Sequence, residues 1–157
     1  MPKVSAGLLL YRIRDGAPEF LLVHPGGPFW KNKDDGAWTI PKGEIGDNEK
    51  PLAAAIREFE EELGFAPNGP YTELTPIKQK AGKVVHAWAF QGDCDPTQIK
   101  SNTFSMEWPP RYGKHAEFPE IDRAEFFNLA DAKIKINVAQ IPLLEELQRH
   151  WINAREG

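Results

Sequence analysis

The 157-residue chain has one cysteine, no long apolar run and no excess of positive charge. Each shortage closes a class of explanation. Cys94 has no second cysteine to pair with, so no internal disulfide is expected and a reducing, cytoplasmic setting fits best. Its neighbours Asp93 and Asp95 make a thiolate scarce, which argues against a nucleophilic role. No stretch approaches the ~20 apolar residues that span a bilayer, so no membrane partner is expected. The run Val4–Tyr11 lacks a small-residue cleavage site after it, and Arg12 and Arg14 follow directly. A buried first strand fits it better than a signal peptide. With 19 Lys+Arg against 23 Asp+Glu the formal net charge is −4, which argues against a broad grip on extended nucleic acid. A small phosphate ligand stays open, because a bound divalent cation reverses the local sign. His24, His86 and His115 show no metal-ligand spacing, so no zinc site is assigned.

Hydrophobic residues make up 41% of the chain and charged residues 27%, the balance of a globular protein. The length suits one domain over residues 1–157, without repeats or low-complexity tracts. Val4–Arg12 is apolar on both faces and reads as a central strand. A turn at Asp15–Pro18 leads to a second strand, Glu19–His24. Pro25–Gly36 reads as a loop, Ala37–Ile40 as a short strand. Thr75–Lys80 and Lys83–Phe90 read as a hairpin around Ala81-Gly82. The stretch 93–119 reads as irregular, with one strand near Ile99–Met106. Arg123–Phe127 reads as a last strand and Ala139–Arg155 as a helix with Ile141, Leu144, Leu147 and Trp151 at core spacing. Strands mixed with helices predict an α/β (α+β) layered domain built on a mixed β-sheet.

The spacing also predicts a helix over Pro51–Leu63, capped by Asp47 or Asn48, with Pro51 in its first turn and Gly64 ending it. Leu52, Ile56, Phe59 and Leu63 form one apolar stripe. Glu58, Glu61 and Glu62 stand at i, i+3 and i+4 and centre on the side away from that stripe. Like charges so placed cost a few tenths of a kcal/mol per pair on a bare helix. A hard divalent cation such as Mg²⁺ reverses that cost and also binds substrate phosphates. Spacing alone equally fits a solvated acidic face.

Gly43, Glu49 and Arg57 change that balance. Gly43, Glu49, Arg57-Glu58, Phe59, Glu61-Glu62, Gly64 and Phe65 stand at the spacing of the Nudix box, with all nine defined positions filled. The segment covers 23 of 157 residues, and Trp38-Thr39-Ile40-Pro41-Lys42-Gly43 leads into it. The chain therefore resembles the Nudix hydrolase family. The resemblance implies an α/β/α sandwich and hydrolysis of a nucleoside diphosphate linked to a group X, with Mg²⁺ or Mn²⁺ as cofactor. It implies metal ligation by the Gly43 carbonyl, Glu58, Glu61 and Glu62, with Glu58 also a candidate base. Glu49 would pair with Arg57 and brace the loop on the helix. Many members add one acid from outside the box, and Glu120 is the candidate here, with Glu117 as alternative. A homodimer also fits the family.

Specificity is less legible. Trp30 and Trp38, with Phe29, are candidates to stack a base, and Lys42 and Arg111 to meet phosphate. The loop Glu107–Pro119 mixes aromatic and cationic side chains and suits substrate contact. The Trp-x-x-Pro-Lys-Gly lead-in is similar to that of family members acting on dinucleoside polyphosphates, so diadenosine tetraphosphate is the first substrate expected. Nucleoside triphosphates, nucleotide sugars and ADP-ribose are alternatives, as is a non-catalytic module that senses a nucleotide.

Overall fold

The computed structural model describes residues 3–156. Strands β1 (Val4–Arg14) and β2 (Ala17–Pro25) form an antiparallel hairpin, turned by Asp15 and Gly16 at positive φ. Along both strands alternate residues go to opposite faces. Leu8, Leu10, Leu21 and Val23 join one core, with Ala54, Ala55, Phe59 and Leu63. Leu9, Phe20 and Leu22 join the other, with Leu143, Leu144 and Leu147. Burial on both faces explains why β1 is an unbroken apolar run.

Then follow β3 (Lys42–Glu44), α1 (Pro51–Leu63), β4 (Thr72–Lys78), β5 (Val84–Gln91), β6 (Thr103–Glu107), β7 (His115–Pro119), β8 (Ile121–Asn128), α2 (Leu129–Lys135) and α3 (Ile141–Glu156). The main sheet runs β4-β5-β1-β2-β8, with β3 paired to β1. β1 and β5 are parallel and the other pairs antiparallel. A mixed sheet between α1 on one face and α2 with α3 on the other is the expected α/β/α sandwich.

Helix α1 occupies the expected residues and ends at Gly64 with φ 83°. Its cap differs from expectation. Lys50 is the N-cap and gives no side-chain hydrogen bond, while Asn48 sits at φ 61° in the preceding loop. Pro51 at the first helical position has no N–H that needs a partner. The β4–β5 hairpin turns at Ala81-Gly82, both at positive φ. Its register shifts between Leu74 and Ile77, where Pro76 has no N–H to give the ladder.

Three elements were not expected. β3 pairs with β1 just past Pro41, whereas the expected strand Ala37–Ile40 forms only isolated bridges, Thr39 with Val23 and Trp38 with Ile136. In the segment read as irregular, β6 overlaps the strand expected near Ile99–Met106, and β7 is its unexpected partner, with Phe118 opposite Phe104 and Ala116 opposite Met106. Helix α2 has seven residues, too few for a periodic stripe, and is capped by Asn128 Oδ1, which accepts from Asp131 N–H. A 3-10 turn at Val138–Gln140 precedes α3, so the last helix starts two residues later than its expected start at Ala139.

Candidate active site

The box residues converge where α1 meets β3. Gly43 pairs with Ala6 of β1, and a side chain there would collide with the Glu58 carboxylate. Only glycine lets that carboxylate lie against the strand backbone. Ahead of the helix, Glu49 and Arg57 meet in a bidentate pair. Arg57 Nε donates to Glu49 Oε2 at 2.8 Å and Nη2 to Glu49 Oε1 at 2.9 Å. Nη2 also reaches the Glu44 carbonyl at 3.1 Å, so one guanidinium ties loop, strand and helix together. The Arg57 contact is the main cause that lowers the Glu49 pKa to about 2, aided by the Gly46 N–H.

The remaining nitrogen of Arg57, Nη1, donates to Glu58 at 2.9 Å and Glu61 at 3.2 Å. Glu62 differs from the expectation drawn from spacing. It is not on an open acidic face but only 6% exposed, because β3 crosses over the C-terminal half of α1. Its carboxylate accepts the Lys42 N–H at 3.3 Å. Burial raises the Glu62 pKa well above the usual range, and repulsion from Glu58 adds to it. Burial raises Glu58 as well, against the opposing pull of Arg57.

Glu120 joins the same cluster. Its N–H donates to the Asn102 carbonyl at 2.8 Å, and Asn102 N–H to the Glu61 carbonyl at 2.9 Å, so a backbone relay seats it beside the end of α1. Burial and the nearby Glu61 raise its pKa. Glu117 lies in β7 opposite Ser105, where no such relay places it beside the box.

Lys42 opens onto a cleft of about 280 Å³ that also holds Trp30, Lys83, Gln79, Asn137 and Gln140. Burial lowers the Lys42 pKa, while Glu62 and Glu58 favour its charge. Trp30 is 38% exposed and faces this cleft. Trp38, expected beside it as a base stacker, is instead a core residue, 1% exposed. Its indole donates to Asp34 at 2.8 Å and its ring packs edge-on against His24 and Phe127. Alternation explains this: Trp38 lies between Ala37 and Thr39 in an extended segment and points inward. Arg111 sits exposed in the β6–β7 turn at φ 70°, outside the lining of the Lys42 cleft.

Some functional neighbours were not foreseen. Gln79 and Lys83 flank the Ala81-Gly82 turn, and nothing local in the sequence says that this turn folds back beside Lys42. His24 is buried, its Nδ1 2.7 Å from Asp122 and its Nε2 2.6 Å from the Lys33 carbonyl. It thereby clamps the loop that carries Trp30 to β8.

The donor set suits a hard cation. Glu62 is a buried carboxylate with one backbone hydrogen bond among the described residues, and a nearby cation would offset its desolvation. Among the described residues no three such side chains already converge as an ion cage. Arg57 holds Glu58 and Glu61 instead.

A mixed-sheet α/β/α sandwich with this carboxylate cluster at the end of one helix defines a class of phosphoanhydride-cleaving domains. The model of the NUDIX domain family matches residues 1–147. The chain belongs to that family, and with every box glutamate in place it is a Nudix hydrolase, a group that generally uses divalent metal cations. An Ap4A hydrolase of C. elegans, solved as a binary complex, superposes with a TM-score of 0.67 at 24% identity, over 95% of this chain and 98% of its own. The NUDIX domain of Shewanella oneidensis NrtR, complexed with ADP ribose, gives 0.66 at 15% identity over 96% and 89%. At such identities the likeness is one of fold. The mRNA-decapping protein g5R of African swine fever virus is 66% identical over 29 residues, which is 18% of this chain and 12% of that protein. Among the described residues no helix is long and apolar enough to cross a membrane.

Proposed function

We propose that the chain, acting as one domain in the cytoplasm, hydrolyses a phosphate–phosphate bond in a nucleoside diphosphate linked to X, with a dinucleoside polyphosphate such as diadenosine tetraphosphate as the first candidate. The observation that carries this reading is the gathering of Glu58, Glu61, Glu62 and Glu120 beside Gly43 and the Lys42 cleft. Glu58, Glu61, Glu62 and the Gly43 carbonyl are the groups that would hold Mg²⁺ or Mn²⁺. The ion, when bound, supplies charge neutralisation and a water of lowered pKa. Arg57 Nη1 bridges Glu58 and Glu61 and offsets their mutual repulsion, a part that a bound ion would take over.

The other roles follow from position. Glu58 takes the proton of the attacking water, and Glu120 is the acid from outside the box that orients it. Glu49 and Arg57 brace the loop. Lys42 meets phosphate and Trp30 stacks a base at the cleft. The C. elegans Ap4A hydrolase is the support among neighbours for a dinucleoside substrate.

The test is nucleotide or phosphate release from dinucleoside polyphosphates, nucleotide sugars, ADP-ribose, coenzyme A and nucleoside triphosphates. Each is run with Mg²⁺ and with Mn²⁺, beside the Glu62→Gln variant. Metal-dependent release that disappears in the variant supports the reading and ranks the substrates. Silence across the panel, with tight nucleotide binding, replaces it with a sensing module.

A further inference from the structure

The loop 25–36 has a cleft on each side. Trp30 lines the one that holds Lys42. Its chain neighbour Lys31 lines a second groove, about 440 Å³, walled by Trp108 and Phe118 of the β6–β7 hairpin. Successive side chains of one loop thus face two different compartments. The second groove includes Pro119, the residue before Glu120, and the first includes Lys42, whose N–H donates to Glu62.

The chemistry of this groove is specific. Trp108 is 37% exposed and offers an aromatic face. Asn32 offers both a donor and an acceptor, and Lys31 a cation. The volume falls within the range of small-molecule sites. A planar base between aromatic and apolar walls, with an amide for its edge and an ammonium for its phosphate, matches that set. Asp122 also lines the groove, with its carboxylate 2.7 Å from His24 Nδ1.

The groove is also built in advance. A side chain at Gly26 would strike the Pro119 carbonyl, and one at Gly27, at φ 96°, would meet the Phe104 ring at 2.8 Å. The Gly26 N–H donates to the Glu120 carbonyl at 2.9 Å, and His24 ties the loop at Lys33. Loop and hairpin are therefore fixed to each other, and the walls need little ordering on binding.

We propose that this Trp108–Lys31 groove is a second nucleoside subsite, so that a substrate with a nucleoside at each end of its phosphate chain lies with one base at Trp30, its phosphates across the carboxylates, and the other base on Trp108. The inference rests on the dinucleoside polyphosphate reading above and names the residues that select it over mononucleotides. Two variants, Trp108→Ala and Asn32→Ala, carry the test, the second, at the amide that meets the base edge, serving if the first disturbs the hairpin.

Hydrolysis of diadenosine tetraphosphate is compared with that of adenosine 5′-tetraphosphate, which has the same phosphate chain and one nucleoside. The wild type is expected to favour the dinucleoside through a lower KM. Trp108→Ala is expected to erase about tenfold of that preference, the size of one lost base stack, and Asn32→Ala about fivefold, the size of one lost hydrogen bond. A preference unchanged within twofold in both variants overturns the groove. If the wild type cleaves neither compound, the parent reading fails, and titration calorimetry with adenosine 5′-monophosphate still decides the groove. Two binding events in the wild type and one in Trp108→Ala support it; a titration the variants do not alter overturns it.

Discussion

Arg57 and Glu49 form a two-pronged ion pair, 2.8 and 2.9 Å, whose third guanidinium nitrogen donates to Glu58 and Glu61. The brace and the reactive cluster therefore share one side chain. Lys at position 57 keeps the charge but loses the fork. Arg57→Lys should lower kcat about 100-fold while shifting the melting temperature by only a few degrees, since a solvent-screened pair adds little stability. Steady-state kinetics beside thermal melts check this; a large stability loss with normal kcat contradicts it.

The same pair sets an acid limit. The Glu49 pKa is lowered to about 2 in the folded chain, against roughly 4.3 for a free glutamate. Because the folded value is the lower one, the ionised form favours the native state. That stability is fully present above the unfolded pKa and disappears as pH falls from about 5 towards 2. Urea midpoints measured from pH 7 to pH 2 should fall less steeply in Glu49→Gln than in the wild type. Parallel curves would show that the pair adds nothing to acid stability.

Glu62 presents the opposite sign. Its buried carboxylate has a raised pKa, so without metal its charge opposes folding at neutral pH. Glu62→Gln should melt above the wild type in chelator, lose the stabilisation that millimolar Mg²⁺ or Mn²⁺ gives the wild type, and lose roughly a thousandfold in turnover. Glu61→Gln should approach the same loss, and Glu120→Gln should be milder. Normal turnover in Glu62→Gln rejects the ligand assignment. A Glu62→Gln variant that melts lower in chelator rejects the argument from burial.

What the sequence revealed and concealed divides along physical lines. Helix α1 was legible because thirteen residues carry a full apolar stripe between Pro51 and Gly64. The strands β1 and β2 were legible from their two-sided apolar character. The burial of Glu62 was not, because it is imposed by β3 passing over the helix rather than by anything in the helix itself. Strand β6 was legible near Ile99–Met106, but its partner β7 was concealed because its inward positions are few: Ala116 and Phe118 are only half-buried. Helix α2 was too short to show a period, though Asn128 as a cap was a readable signal. Neither His24 nor Gln140 announced itself. Gln140 is fully buried and bonds the Ile40 N–H and Thr39 through its side chain, a role that depends on contacts about 100 residues away in sequence.

Cys94 tests the reading of the lone thiol. Burial, then Asp93, pushes its pKa up to about 11. The native protein should react slowly with iodoacetamide at pH 7–8 and faster as pH rises towards that value, because the thiolate is the nucleophile. Cys94→Ser should retain wild-type turnover. Rapid alkylation at pH 7 accompanied by loss of activity would place the thiol in the mechanism.

Trp30 and Trp38 stand eight residues apart in sequence and should behave as opposites. Trp38 is enclosed by His24 and Phe127, with Arg123 over its ring at 5.1 Å. Truncating it leaves a cavity in the core, so Trp38→Ala should cost about 3–5 kcal/mol in denaturant unfolding. Trp30 has lost less water on folding, and its ring contacts Lys33 at 5.0 Å on the rim of the Lys42 cleft. Trp30→Ala should leave stability within about 1 kcal/mol and raise KM for nucleotide substrates about tenfold with a smaller change in kcat, the pattern of lost ground-state binding. If Trp30→Ala left KM unchanged while Trp38→Ala raised it in a fully folded protein, the base would have to enter by a path that the burial of Trp38 forbids, and the position of the first nucleoside would need to be redrawn.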